Sequence, residues 1–188
     1  AGVSLNPNAE HHIHIGANSV LYKLDQGNYN PLDDKSLVIP VKLNKEEGLE
    51  SGLYMNEEWK PSAIFSLSAG IRYNFFTFFG PHTSYVYRDD SPLISGNIVD
   101  TVNFGKNKKV KSYSAPDFRL SAKYSINEFM SVKAAFNQAH QYIFMLSNTI
   151  AIAPTDKWKL VDDHIKPMMG RQYSLGFFSE LKKHKYEF

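Results

Sequence analysis

The chain has 188 residues, enough for one good core or two small ones, and its 21 Lys plus Arg against 19 Asp plus Glu leave a formal charge of +2, too weak a basic field to argue for nucleic acid. The absence of cysteine excludes disulfides, thiolate metal sites and a cysteine nucleophile without identifying a compartment. Aromatic residues are plentiful, at 13 Phe, 11 Tyr and 2 Trp, yet no apolar run reaches the ~18 to 20 residues of a membrane-spanning helix.

The opening "AGVSLNPN" has no basic, apolar and small-residue regions of a signal peptide, so the chain is expected to start as a mature protein or inside a longer one. "GVSL" reads as the end of a strand and "NPNAE" as a tight turn. "HHIHIGANSVLYKL" then sets Ile13, Ile15 and Ala17 against His12, His14, Gly16 and Asn18 at a period of two. "SGLYMNEEW" opposes Leu53, Met55 and Trp59 to Tyr54, Asn56 and Glu58, with Glu57 spoiling the apolar side. In "SAIFSLSAGIRYNFFTFF", Phe65, Leu67, Ala69, Ile71, Tyr73 and Phe75 share one face, and Ser66, Ser68, Gly70, Arg72 and Asn74 the other. "DFRLSAKYSI" is the cleanest alternation, with Phe118, Leu120, Ala122, Tyr124 and Ile126 facing away from Asp117, Arg119, Ser121, Lys123 and Ser125. "MSVKAAFNQ" places Met130, Val132, Ala134 and Phe136 against Ser131, Lys133, Ala135 and Asn137, and "QYSLGFFSEL" groups Tyr173, Leu175 and Phe177. A last strand begins in "KYEF".

The connections alternate in length. "NPNAE", "KPSA", "NEF" and "KKHK" are hairpin turns of a few residues. The others, from about Asp25 to Glu50, Phe78 to Ala115 and His140 to Arg171, far exceed the ~12 to 15 residues beyond which unstructured loops are uncommon. A soluble all-β sandwich would mix loop lengths at both ends and turn a polar face outward. A transmembrane barrel has apolar residues toward lipid, polar residues toward the lumen, short periplasmic turns and long extracellular loops. The pattern therefore predicts an all-β, antiparallel transmembrane β-barrel segment of about six full strands plus two partial ones. The lipid-facing set is expected to be Phe65, Leu67, Ile71, Tyr73, Phe118, Leu120, Tyr124, Val132, Phe136, Leu175 and Phe177. The lumen-facing set is Ser66, Ser68, Arg72, Asn74, Arg119, Lys123 and Lys133. Tyr73, Phe75 and Phe76 at the long-loop end, and Trp59 at the short-turn end, are expected in the two aromatic girdles. The soluble sandwich stays as the alternative, as does a small closed barrel of eight strands.

"GLYMNEEWKPSAIFSLSAGIRYNFF" resembles the outer-membrane TonB-dependent receptor pattern of an acidic-Trp strand, a tight turn and a Leu-x-Ala-Gly-x-Arg-Tyr strand. The later "PDFRLSAKYSINEFMSVKAAFNQAHQYIFMLSNT", "PTDKW", "IKP" and "QYSLGFF" resemble the central barrel of such receptors from the Bacteroidetes lineage; the similarity runs from Ser51 to Phe178. The resemblance implies a barrel of about 22 strands with a plugged lumen, of which residues 1–188 would be an interior segment without plug or TonB box. It implies an outer-membrane location in a Gram-negative bacterium and uptake of a scarce nutrient driven through TonB. The expected partners are membrane lipid, TonB through an absent N-terminal region, an unidentified imported ligand and a surface lipoprotein. No enzymatic activity or cofactor is implied. A scaffold role, in which the barrel holds surface lipoproteins, is the second expectation.

His12 and His14 point to one side and could chelate a metal, but no third ligand is identifiable, and neighbours of a short turn explain them as well. Asp156, Asp162, Asp163 and His164 share a long loop but match no EF-hand. Glu57 and Glu58, adjacent on a strand, point to opposite faces and cannot form a catalytic pair. No Gly-x-Ser-x-Gly elbow or phosphate-cradling glycine loop is present. "AHQYIFMLSNTIAIAP" is helix or strand by periodicity alone. In one reading Tyr142, Phe144 and Leu146 pack this loop onto its neighbours. In the other, His140, Gln141, Tyr142, Asn148, Asp156 and Trp158 at the outer mouth hold a ligand. "KNKKVK", Lys106 to Lys111, is a solvated loop or a surface for anionic lipopolysaccharide.

Overall fold

The computed structural model describes residues 1–33, 35–37, 39–42, 44–146, 156–181 and 184–187. Eight strands form one antiparallel sheet in chain order: β1 (Gly2–Leu5), β2 (His11–Leu24), β3 (Glu46–Ser62), β4 (Phe65–Phe79), β5 (Lys109–Asn127), β6 (Met130–Gln141), β7 (Met168–Leu181) and β8 (His184–Glu187). Each strand pairs only with its sequence neighbours in this sheet, and the sheet is open: no ladder joins β1 to β8 among the described residues. Six long strands flanked by two four-residue ones match the expected count. No helix among the described residues is long and apolar enough to cross a membrane, a test that says nothing of crossing with strands.

Two-residue turns, Ala63–Ile64 and Glu128–Phe129, close β3 to β4 and β5 to β6 at one end. Long connections lie at the other, and each carries its own small hairpin: Asn28–Tyr29 with Val41–Lys42, His82–Tyr87 with Ile98–Phe104, and Ile143–Leu146 with Lys157–Leu160. The last of these settles the "AHQYIFML" ambiguity as strand for Ile143–Leu146. The long strands run 12 to 19 residues, beyond the ~9 to 11 that span a bilayer. β3 starts at Glu46 rather than near Ser51 and β5 at Lys109 rather than near Asp117, so three of the lysine-rich residues, Lys109 to Lys111, belong to a strand instead of a loop. Polar, glycine-broken stretches such as "EEGLESG" hide this extension, because backbone pairing continues where apolar alternation does not.

Register turns the alternation into two faces. Met55↔Ile71↔Phe118 and Ala69↔Leu120↔Phe136↔Tyr173 stand on one side, as do Phe65↔Tyr124↔Val132↔Phe177 and Leu67↔Ala122↔Ala134↔Leu175. Ser66↔Lys123↔Lys133, Ser68↔Ser121 and Gly70↔Arg119↔Asn137 stand on the other. The apolar side stays bare: Leu175 is 77% and Tyr173 74% exposed, and Leu53, Ile71 and Leu120 are exposed too. Trp59 sits on this side near the short turns, edge-on to Phe65 and stacked with His11. Phe76 corrects the girdle expectation. Its period-two position puts it on the polar side with Arg72 and Asn74, and it is fully buried. Phe76, Phe78, Tyr142, Leu160 and Val161 form the only buried apolar cluster among the described residues, where the third long connection folds back over the polar side of the sheet.

Candidate functional site

At the long-loop end of the polar face a hydrogen-bonded chain crosses five strands. The Tyr22 hydroxyl of β2 donates to Glu50 Oε2 of β3 at 2.9 Å, and Arg72 Nη2 of β4 donates to Glu50 Oε1 at 3.4 Å. Arg72 Nε donates to Asn74 Oδ1, and Asn74 Nδ2 donates to Asp117 Oδ2 of β5 at 2.6 Å. Asp117 Oδ1 accepts from His140 Nδ1 of β6 at 2.7 Å. Asn74, 1% exposed, is the joint of the chain: its amide faces a cation on one side and a carboxylate on the other, and the carboxamide meets both by accepting with its oxygen and donating with its nitrogen. Gly52 makes room for this arrangement. A Cβ there would lie 2.7 Å from the Arg72 guanidinium carbon. Beside the chain, Tyr54, Asn56, Arg72, Asp117 and Arg119 line a recess of about 200 Å³.

The roof is apolar. Tyr142 stacks on Phe76 with ring centres 5.1 Å apart and planes 9° from parallel, and Gly48 admits the Phe76 ring and Leu160. The Tyr142 hydroxyl is buried and finds no hydrogen-bond partner among the described residues. Burial first, then the carboxylates of Asp117 and Glu50, push its phenol up to about 12.

A second polar cluster fastens the roof. Lys159 Nζ meets Glu46 Oε1 and Asp162 Oδ2, each at 2.7 Å, while Leu160 N donates to Glu46 Oε2 at 2.8 Å. Burial opposes the Lys159 charge, but the bonds to Asp162 and Glu46 outweigh it and raise its pKa. Asp162 Oδ1 accepts from the backbone of His164 and Ile165, and Tyr113 donates to the Asp162 carbonyl at 2.6 Å. Asp163 reaches the neighbouring loop hairpin, meeting His82 Nε2 at 2.9 Å and accepting from the Ser84 hydroxyl. Burial works to raise the Asp163 pKa, yet the Ser84 bond, a backbone bond and the nearby His82 and His164 hold it below the ordinary carboxylate value.

The sequence-derived residues separate here. His140 joins the polar chain and Tyr142 the roof, while Gln141 is exposed and donates to the Ile143 carbonyl at 2.7 Å. Trp158 is half exposed and pairs with Met145 across the small hairpin; Asp156 lies just before that strand and is partly buried. Asn148 lies outside the described residues. Phe144 packs against the buried cluster, whereas Leu146 is exposed. His14 bonds Ser4 and Tyr54 of the adjacent strands, and His12 bonds Asn6 of the turn after β1, so both histidines are held by neighbouring residues. Glu57 bonds His11 at 2.6 Å on the apolar side and Glu58 bonds Lys60 on the other, on opposite faces as strand geometry requires. No group of three metal-ligating side chains suited to an ion occurs among the described residues. Glu50, Tyr22, Glu46, Lys159 and His82 were not singled out in the sequence. Glu50 could have been found by continuing the β3 period past Ser51; Lys159 and His82 have no local signal, because only the folded-back loops bring them to their partners.

The family model for the TonB dependent receptor-like beta-barrel matches residues 2–178. Comparison with curated proteins finds no match, and comparison with solved structures finds none. With an antiparallel sheet of the expected strand order beneath a match of that extent, the chain belongs to the TonB-dependent receptor-like β-barrel family, whose members are receptors and transporters of the Gram-negative outer membrane.

Proposed function

We propose that this chain is a sector of the wall of one receptor barrel that takes up a scarce nutrient with energy relayed by TonB. The observation that carries the reading is the division of a single sheet into a bare apolar face and a hydrogen-bonded polar face. A sheet left with free edges in hydrocarbon would cost several kcal/mol per unpaired backbone group, so further strands are needed to complete the wall. The apolar face then meets lipid and the polar face the lumen. The folded-back loop stands at the mouth, with Trp158 and Gln141 placed to touch a ligand and with His140 and Tyr142 forming the surface beneath them. Residues 1–188 are read as part of one barrel domain, with the plug and the TonB-contacting segment elsewhere in the protein.

The test is depletion of nutrients from the medium by three strains: wild type, one lacking the gene, and one lacking TonB function. A compound consumed by the first and spared by both others identifies the imported ligand. Equal depletion by all three across nutrient-limited media would sink the transport reading.

A second reading has its own support. Leu32, Leu37, Leu93 and Ile94 project from two long connections with 96%, 98%, 63% and 58% of their surface exposed, a hydrophobic set suited to a protein partner such as a surface lipoprotein. Cross-linking from Leu93 on intact cells, followed by peptide identification, would find a lipoprotein if the loops dock one. Recovery of only lipid or receptor peptides would remove this reading.

A further inference from the structure

We propose that Lys106, Lys108 and Lys109 form a binding site for the phosphates of an anionic lipid of the outer leaflet. The proposal rests on the reading that the apolar face meets lipid.

Toward the long-loop end, the outward side of β4 and β5 changes character in steps. Tyr73 and Phe75 close the apolar ladder, and the Tyr73 hydroxyl donates to Ser114 Oγ at 3.4 Å. One rung higher Thr77 and Ser112 share a hydrogen bond of 2.9 Å, and above them Phe79 stands opposite Lys109. Phe79 lies four positions beyond Phe75, about 13 Å along the strand at ~3.3 Å per residue and about 9 Å along the bilayer normal at a tilt of ~45°, which carries Lys109 to the outer margin of a headgroup layer ~5 to 8 Å deep. The same cross-strand row continues through Glu47 to Lys23, and those two lie 4.0 Å apart. Lys23 thus has a carboxylate beside it, whereas no carboxylate is within 4.0 Å of Lys106, Lys108 or Lys109 among the described residues.

Lys106 and Lys108 are presented by a backbone-bonded turn, and Lys109 opens β5 directly after it. Lys108 N donates to the Gly105 carbonyl at 3.1 Å, Asn107 takes a positive φ of 60°, and two backbone bonds of 2.9 Å clasp the turn to Gly80. Residues 105–109 are all exposed. Lys111 is set apart, since it pairs with Phe78 on the polar side and lies over the Tyr113 ring. Three ammonium groups without a carboxylate neighbour among the described residues, two on the clasped turn and Lys109 at the start of β5, above hydroxyls and an apolar face, fit a lipid that carries phosphate on an acylated headgroup. A zwitterionic lipid would leave the charge unmatched.

The test is native mass spectrometry of the full-length outer-membrane protein released from detergent, with bis-phosphorylated lipid A, its dephosphorylated form, and phosphatidylethanolamine as probes. An anionic membrane surface is worth roughly fivefold per nearby lysine, so the K106Q/K108Q/K109Q variant should lose up to on the order of a hundredfold of the preference for the phosphorylated form at low ionic strength. Lys60→Gln, at the opposite end of the wall, should leave it unchanged, and heat-modifiable gel mobility checks that each variant is folded. Equal retention of both lipid A forms by the wild type, or undiminished preference in the triple variant, would overturn the site. Displacement by millimolar inorganic phosphate would mark a free-anion site and overturn the lipid assignment. Absence of adducts with all three lipids would overturn the lipid-facing reading on which the proposal stands.

Discussion

Asn74 is where a small change should propagate furthest. It is buried between Arg72 and Asp117 and bonds both, so Asn74→Ala leaves a cation and a carboxylate on opposite sides of a gap. A buried polar group stripped of its partner costs about 1 to 3 kcal/mol, more when it is charged, so the variant should lose roughly 2 to 3 kcal/mol in urea unfolding from lipid vesicles. Asn74→Asp should lose at least as much, because it sets a second carboxylate against Asp117; a variant as stable as wild type would show the chain to be ornamental. Asp163 supplies a pH dependence of defined sign. Its folded pKa is depressed, so its contribution is present above the ordinary carboxylate pKa and is lost as pH falls through the lower folded value. Contact between the His82–Tyr87 strand and the Asp163 segment should therefore survive moderate acid and open only below the ordinary carboxylate range. Ser84→Ala removes one of the stabilising bonds and should move the opening to higher pH. Acid proteolysis of the loops in wild type and variant checks both statements, and coincident opening curves would contradict them.

The loop element is held by stacking more than by its own pairing, since the hairpin Ile143–Leu146 with Lys157–Leu160 has only four paired rungs. Phe76→Ala removes the ring on which Tyr142 rests and the wall against which Leu160 is buried, a truncation that costs about 3 to 5 kcal/mol in a well-packed core. Local opening needs less than global unfolding. The expected outcome is faster hydrogen exchange at Val161 N–H, which bonds the Tyr142 carbonyl, with β3 to β6 remaining protected. Unchanged exchange would assign the docking to Lys159 and Glu46 instead. How much of this was legible differs by element. The β4 and β5 alternation could be read residue by residue, because both faces are long enough for register to be unambiguous. The roof could not: Phe76 looks like one more girdle aromatic in "YNFFTFF", and only the returning loop, some 66 residues later at Tyr142, turns it into a core residue.

At the scale of the whole molecule, the sheet lacks the burial that would make an ordinary soluble domain. Among the described residues its buried apolar cluster holds five, all at one end, while the broad side bearing Leu120, Tyr124 and Leu175 stays exposed. This much was readable from sequence, because period-two patterning and alternating connection lengths are properties of the wall itself. The closing of the wall was not, since an open sheet of adjacent strands looks the same locally whatever its final strand number. The distinction between lipid and water on the bare side can be tested with neighbouring residues. Leu120 and Ser121 are adjacent in β5 but stand on opposite faces, Leu120 opposite Ala69 and Phe136, Ser121 opposite Ser68 and Ala135. An arginine near the bilayer midplane on the lipid side of a barrel costs about 2 to 4 kcal/mol, whereas one facing a wet lumen has water available to it. Leu120→Arg should therefore lower the folding free energy in vesicles by about 2 to 4 kcal/mol and Ser121→Arg by about 1 kcal/mol or less. The reverse order would mean that the bare face looks into water, and the assignment of the two faces would have to be exchanged.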